Sequence, residues 1–120
     1  MNWAPIPEAA LRDKIIEAEA RMTPPIRRLW EAIRIPPQKW REPSYGQEGG
    51  GFWVVGLIGH HAIWYNDIEE GFNRASYRTP GELDEYFSNQ DELEHVVQDV
   101  LSLIETGAGR LVRTGPPRPC

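Results

Sequence analysis

The segment Phe52–Asn66, FWVVGLIGHHAIWYN, limits the fold more than any other part of the chain. Two apolar runs flank Gly59-His60, a pair that suits a two-residue hairpin loop with glycine at its first central position. Counting outward from that loop sets Ile58 opposite His61, Leu57 opposite Ala62, Val55 opposite Trp64 and Trp53 opposite Asn66. One face then carries Trp53, Val55, Leu57, Ala62 and Trp64. The other carries Phe52, Val54, Ile58, Ile63 and Tyr65, with Gly56 between them. Both faces are apolar, which calls for a central hairpin covered on both sides.

Helices supply the cover. Pro7 suits a first helical position, and Leu11, Ile15, Ala18 and Met22 then form one stripe to about Arg21. Glu8–Arg12 and Glu17–Arg21 are spaced to pair on the exposed side. Trp3 and Ile6 precede this helix and are placed to fold back onto the core. Thr23-Pro24-Pro25 reads as an N-cap with proline behind it. The helix that follows buries Ile26, Leu29, Trp30 and Ile33, and stops near Arg34 because Pro36 and Pro37 follow.

Residues 36–51 read as a loop with a short edge strand at Lys39–Arg41. Gly49-Gly50-Gly51 lacks the Lys-Ser/Thr and the helix of a phosphate-cradling loop, so it reads as a flexible lead-in to the hairpin. Asn66-Asp67 is a turn pair, Gly71 allows a bulge or turn, and Phe72-Asn73-Arg74 starts a third strand. Residues 82–87 are expected as a fourth strand with Leu83 and Phe87 inward. Asn89 and Glu92 fit a capping box with Phe87 as a staple against Leu93. The last helix carries Leu93, Val96, Val97, Val100, Leu101 and Ile104 on one stripe and ends at Gly107.

The expected fold is therefore α+β: an antiparallel sheet of about four strands, two short N-terminal helices, and a long C-terminal helix packed on the sheet. Residues 1–106 form a single domain, since 120 residues suffice for one core but not two. Residues 107–120, rich in glycine and proline, read as a flexible tail.

Charge is unevenly spread. Residues 1–51 carry net +1, residues 52–106 net −9, and residues 107–120 net +3. Clustered Lys and Arg are what phosphate backbones need, so nucleic acid is excluded as a partner. A basic protein partner is favoured instead. No apolar run approaches the roughly 20 residues that cross a bilayer, and the N-terminus does not read as a secretory leader. The single cysteine, Cys120, forms no intrachain disulfide and fits a reducing, cytoplasmic setting.

No catalytic, metal or cofactor signature emerges. Adjacent strand residues point to opposite faces, so His60 and His61 do not suit one metal ion. Asp67, Glu69 and Glu70 match a polar turn as well as a carboxylate pair. Cys120 lacks an oriented base, and Ser44, Ser76, Ser88 and Ser102 lack a nucleophile elbow. The segment from Trp64 to Asn73 instead mixes aromatics, acids and amides, as protein interfaces do. The candidate partner-binding residues are Trp64, Tyr65, Asp67, Glu69, Glu70, Asp84, Glu85 and Tyr86. The alternative is a small metal- or ligand-binding enzyme using His60, His61 and nearby carboxylates. A third reading is a structural subunit that dimerises through a strand edge near Lys39–Arg41 or Tyr77.

Four short runs carry a resemblance: Phe52-Trp53-Val54-Val55 after glycines, Ile63-Trp64-Tyr65-Asn66-Asp67-Ile68-Glu69, Gly71-Phe72-Asn73, and Asn89-Gln90-Asp91-Glu92-Leu93. With them, over about residues 36–104, the chain resembles a group of short bacterial proteins of unassigned function. Proteins of this look are similar in size and charge to immunity proteins, which neutralise a partner toxin by binding it. The resemblance implies a non-enzymatic inhibitor with no cofactor, and it transfers no active-site residue.

Overall fold

Prolines and the apolar stripes set where the helices begin and end. A computed structural model describes residues 4–43 and 50–106. Helix α1 spans Glu8–Arg21, with Pro7 as the extended residue just before it rather than its first turn. Leu11 and Ala18 are buried, and Ile6, Ile15 and Met22 pack beside them. Helix α2 spans Pro24–Ile33 behind Thr23 and buries Ile26, Trp30 and Ile33. Trp3 lies outside the described residues, as do residues 44–49 and the 107–120 tail.

Strand β1 covers Arg34–Trp40 and so includes both prolines that end α2. This corrects the expected loop. Proline is tolerated on an edge strand, and β1 is an edge with a register shift between Arg34 and Gln38. Strands β2 (Phe52–Ile58), β3 (His61–Asn66) and β4 (Gly71–Ser76) follow, and the four lie in the order β1-β2-β3-β4, each pair antiparallel. Helix α3, Leu93–Thr106, completes the α+β fold.

The central hairpin turns at Gly59-His60, with Ile58 opposite His61 and Leu57 opposite Ala62 as expected. Further out the register differs. A bulge at Val55 sets Val54 opposite Trp64 and Trp53 opposite Tyr65. The extra residue exchanges the faces of the outer half of β2. Trp53 and Val55 therefore join Ile58, Ile63 and Tyr65, while Phe52 and Val54 join Leu57, Ala62 and Trp64. Gly56 makes this fit: a Cβ there would lie 3.0 Å from Trp30 Cζ3. Trp30 is 1 % exposed, and burying a side chain of its size is worth on the order of 5 kcal/mol in transfer free energy.

All three helices cover one face of the sheet, where Leu11, Trp30, Leu93 and Val97 meet Val55, Ile63 and Tyr65. Among the described residues no helix covers the other face. There, Leu83 and Phe87 from the segment after β4 close over Trp40, Phe52, Val54 and Trp64. Both point inward as expected, but residues 82–87 form no strand. They act as a strap between the sheet edges. Leu83 N–H donates to Arg41 O beside β1, and Asp84 N–H donates to Ser76 O at the end of β4. Consecutive strap residues thus hold opposite edges of one curled sheet. At the positions expected for dimerisation, Arg41 bonds Gly81 and Leu83 of the strap, and Tyr77 N–H donates to His60 O, while β1 remains a sheet edge.

Two further expectations are corrected. Gly51 (φ +104) is no loose lead-in, because a Cβ there would lie 2.2 Å from Trp40 O. Helix α3 starts at Leu93, so Asn89 lies too far ahead to cap it. Phe87 packs on the strap face and Leu93 on the helix face, so they form no staple.

Candidate functional site

The β3–β4 turn is built on Asn66, which faces Gly71 across the ladder. Asn66 Oδ1 accepts the Ile68 and Glu69 N–H groups at 3.0 and 3.1 Å, and its Nδ2 donates to Phe87 O at 3.0 Å. Glu70 closes the turn at φ +61, a left-handed conformation that is uncommon for a side-chain-bearing residue. Residues 89–91 then cross directly over Gly71. Phe72 N–H donates to Asp91 O at 2.9 Å. Asn73 bonds the Asn89 backbone twice, its Nδ2 donating to Asn89 O and its Oδ1 accepting Asn89 N–H, both at 2.9 Å. Gln90 Nε2 donates to Glu69 O at 3.0 Å. A Cβ on Gly71 would lie 2.3 Å from Gln90 Cα, so only glycine lets the crossing segment sit this low.

The crossing gathers Glu69 and Glu70 with Asp91 and Glu92 at one end of the molecule. Between them and α1 lies a pocket of about 160 Å³ lined by Lys14, Glu17, Arg21, Tyr65, Glu70, Phe72, Asp91 and Glu92. Tyr65 is 2 % exposed and meets Phe72 edge-on at 4.9 Å. Lys14 Nζ stands 5.7 Å above the Tyr65 ring. Burial pushes the Tyr65 hydroxyl up to about 12, with Glu70, Asp67 and Glu92 adding to the shift. Arg21 does not pair with Glu17 as expected. It reaches α3 instead, donating to Glu94 at 2.6 and 3.1 Å and to Glu92 at 2.9 Å. Burial alone pushes the Glu94 carboxyl up, but the Arg21 hydrogen bond and charge outweigh it and hold Glu94 below its usual range.

No protein-family model, curated protein or solved structure matches the chain.

Asp67 turns inward. Its Oδ2 accepts the Ile6 N–H at 2.8 Å, and Trp53 Nε1 donates to Ile6 O at 2.9 Å, so the segment before α1 is fastened to the sheet. Lys39 Nζ lies 4.9 Å above the Trp53 ring. Burial raises the Asp67 carboxyl despite the Ile6 N–H and the Lys39 charge, which pull it down.

The other expected partner-binding residues lie elsewhere. Trp64 is 0 % exposed and faces the strap, so it is core and cannot anchor a partner beside Tyr65. Tyr86 packs there too, 6.0 Å from Trp64 and 6.1 Å from Phe52. Asp84 and Glu85 sit at the far end of β4, about 17 Å from the turn for a strand of this length. Asp84 pairs with Arg78 at 3.1 Å, and Glu85 Oε1 accepts Ser76 N–H at 2.8 Å. The acids expected to form one surface thus occupy two ends of a strand.

His60 is exposed at the hairpin tip, whereas His61 faces Arg74. An Arg74 nitrogen lies 3.3 Å from His61 Nδ1, and a guanidinium can only donate, so Nδ1 accepts. Arg74 also pairs with Asp99 of α3 at 3.0 Å. A buried guanidinium beside His61 repels a metal cation. Among the described residues no group of three His, Cys, Asp or Glu converges on one point.

Lys14, Glu17, Arg21, Asp91 and Glu92 were not among the expected site residues. Lys14, Glu17 and Arg21 recur at helical spacing on α1, which marks one face but not what that face meets. Asp91 and Glu92 read as the polar face of a helix that in fact starts after them.

Proposed function

We propose that this protein is a non-enzymatic binding domain, an inhibitor of the immunity-protein kind, that docks a basic protein partner through the end built on Glu69, Glu70, Asp91 and Glu92. One observation carries the reading: the acids come from two segments about 20 residues apart in sequence, and four hydrogen bonds, one backbone-to-backbone and three from side chain to backbone, hold those segments together. Preorganised charge on a rigid frame speeds encounter and fixes orientation, and it saves the ordering cost that flexible side chains incur on binding. The cover of Gln90 over Gly71 makes that frame stiff. Among the described residues no helix is long and apolar enough to cross a membrane, and the lone cysteine suits a cytoplasmic site of action.

The test is affinity capture from the native host with immobilised protein. Wild type and an Asp84→Lys control are expected to retain the same basic protein at low salt and release it as salt screens the charges. The triple variant Glu69→Lys, Glu70→Lys, Asp91→Lys is expected to lose it. Retention by the triple variant, or loss by Asp84→Lys alone, contradicts the assignment.

A further inference from the structure

We propose that the pocket between α1 and the β3–β4 turn is the seat of a single basic side chain, an arginine or lysine of the protein partner, with Tyr65 as its floor. The inference rests on the docking end described above and names the contact that anchors it. The Tyr65 side chain is nearly wholly buried and lines the pocket, and its hydroxyl, which keeps some access to solvent, has no hydrogen-bond partner among the described residues. That hydroxyl is free to accept a hydrogen bond, and a cationic donor entering from outside would supply one. The rim holds four carboxylates, Glu17, Glu70, Asp91 and Glu92, against two cations, Lys14 and Arg21. Arg21 is already spent on Glu92 and Glu94. That leaves a surplus of negative charge over an aromatic floor, the combination that binds ammonium and guanidinium groups.

Lys14 shows the chemistry within the chain itself. Its Nζ lies 5.7 Å from the centre of the Tyr65 ring, and among the described residues it forms no ion pair. It behaves as a weakly held resident cation that an incoming side chain displaces. The partner's cation brings its own hydrogen-bond donors to Tyr65 Oη and the Glu70 and Asp91 carboxylates, and Lys14 swings to solvent. Competition from Lys14 lowers the affinity of the free pocket, so removing it is expected to tighten binding.

The experiment is an NMR titration of the isotope-labelled full chain with the blocked tripeptides acetyl-Gly-Arg-Gly-amide and acetyl-Gly-Lys-Gly-amide, and the glutamine peptide as a neutral control. Saturable shifts are expected at the amides of Lys14, Tyr65, Gly71 and Asp91 with the basic peptides only. Tyr65→Phe keeps the ring and is expected to weaken binding about threefold to tenfold, the worth of one hydrogen bond. Lys14→Ala is expected to tighten it, while Arg28→Ala, the same charge change on α2, leaves it unaltered. Lys14 is exposed, so its variant folds even if Tyr65→Phe does not. Shifts spread over distant acids such as Asp84 and Glu105, or indifference to Lys14→Ala, overturn the pocket and leave the acidic docking end standing. Absence of any shift at millimolar peptide also overturns the pocket. Only the charge-reversal capture decides the broader assignment.

Discussion

Gly71→Ala is the sharpest test of how the docking end is held together. The added Cβ would lie 2.3 Å from Gln90 Cα, 2.5 Å from Asn89 O and 2.8 Å from Gln90 C. All three are backbone atoms, so no side chain can swing aside, and residues 89–91 must lift off β4. Four hydrogen bonds depend on that contact: Phe72 to Asp91, two between Asn73 and Asn89, and Gln90 to Glu69. At about 1 kcal/mol each, with some replaced by water, the loss is about 2–4 kcal/mol. For a domain of this size that lowers the melting temperature by about 10–25 °C. The comparison is Gly59→Ala, where no atom lies within 4 Å and only a φ of +56° opposes the change, at about 1 kcal/mol. Urea titration of both variants gives the difference, with unchanged slopes showing that the unfolded reference is the same. The tyrosinate titration gives a second readout: with the crossing segment raised, Tyr65 ionises below the value of about 12 that it has in the intact protein. If Gly71→Ala costs no more than Gly59→Ala, the crossing segment is not what fastens the acids, and the stiffness argued for the docking end is lost.

Other outcomes follow from the same contacts. Gly56→Ala brings a Cβ to 3.0 Å from the Trp30 ring in a filled core, and calorimetry should show a loss of about 1–3 kcal/mol. Asp99→Ala strands the buried Arg74 guanidinium and is expected to cost about 3 kcal/mol in denaturant unfolding, whereas the double change Arg74→Met, Asp99→Leu recovers most of it. Burial raises the folded-state pKa of Asp67 above 3.8, so between 3.8 and that value the folded protein binds more protons than the unfolded chain. Stability therefore falls as pH rises through that window. Asp67→Asn should be more stable than wild type above it, with the gap closing on acidification in pH-dependent melting curves. Tyr65 acts in the same sense at high pH: stability should drop between about 10 and 12, where the unfolded chain ionises first.

Much of the fold was legible because apolar spacing and proline positions leave few choices. Leu11 with Ala18, Ile26 with Trp30 and Ile33, and Leu93 with Val97 and Val100 are buried on the expected helix faces. The misread elements share one cause: the chemistry that decides them is not periodic. With both hairpin faces apolar, alternation does not reveal a bulge, because exchanging faces buries the same kinds of side chain. Gly56 was the single visible mark of it. The β1 alternation of half-buried Ile35, Pro37 and Lys39 with exposed Arg34, Pro36 and Gln38 was present in the sequence, but two prolines masked it as loop. Leu83 and Phe87 read inward correctly because burial needs only side-chain spacing. Strand status needs a partner backbone, and the strap bonds a different edge at each residue.

The candidate site was half legible for a related reason. Glu69 and Glu70 stood out because a turn should not need acids beside aromatics. Their companions Asp91 and Glu92 depend on a crossing that no local pattern encodes. The same crossing explains why the expected single acidic surface divides. Asn66 and Gly71 fix the turn at one end of β4, while Ser76 binds Glu85 and Asp84 at the other. An acid whose carboxylate accepts a backbone N–H, as Glu85 does, is satisfied within the fold. Glu69 and Glu70 contribute backbone geometry to the turn, and their carboxylates remain at the surface. Negative charge in this chain thus lies in two settings, closing the strap at one end and standing at the surface, on the proposed docking end, at the other. Only at the second are acids from two separate segments of the chain brought together by hydrogen bonds between those segments.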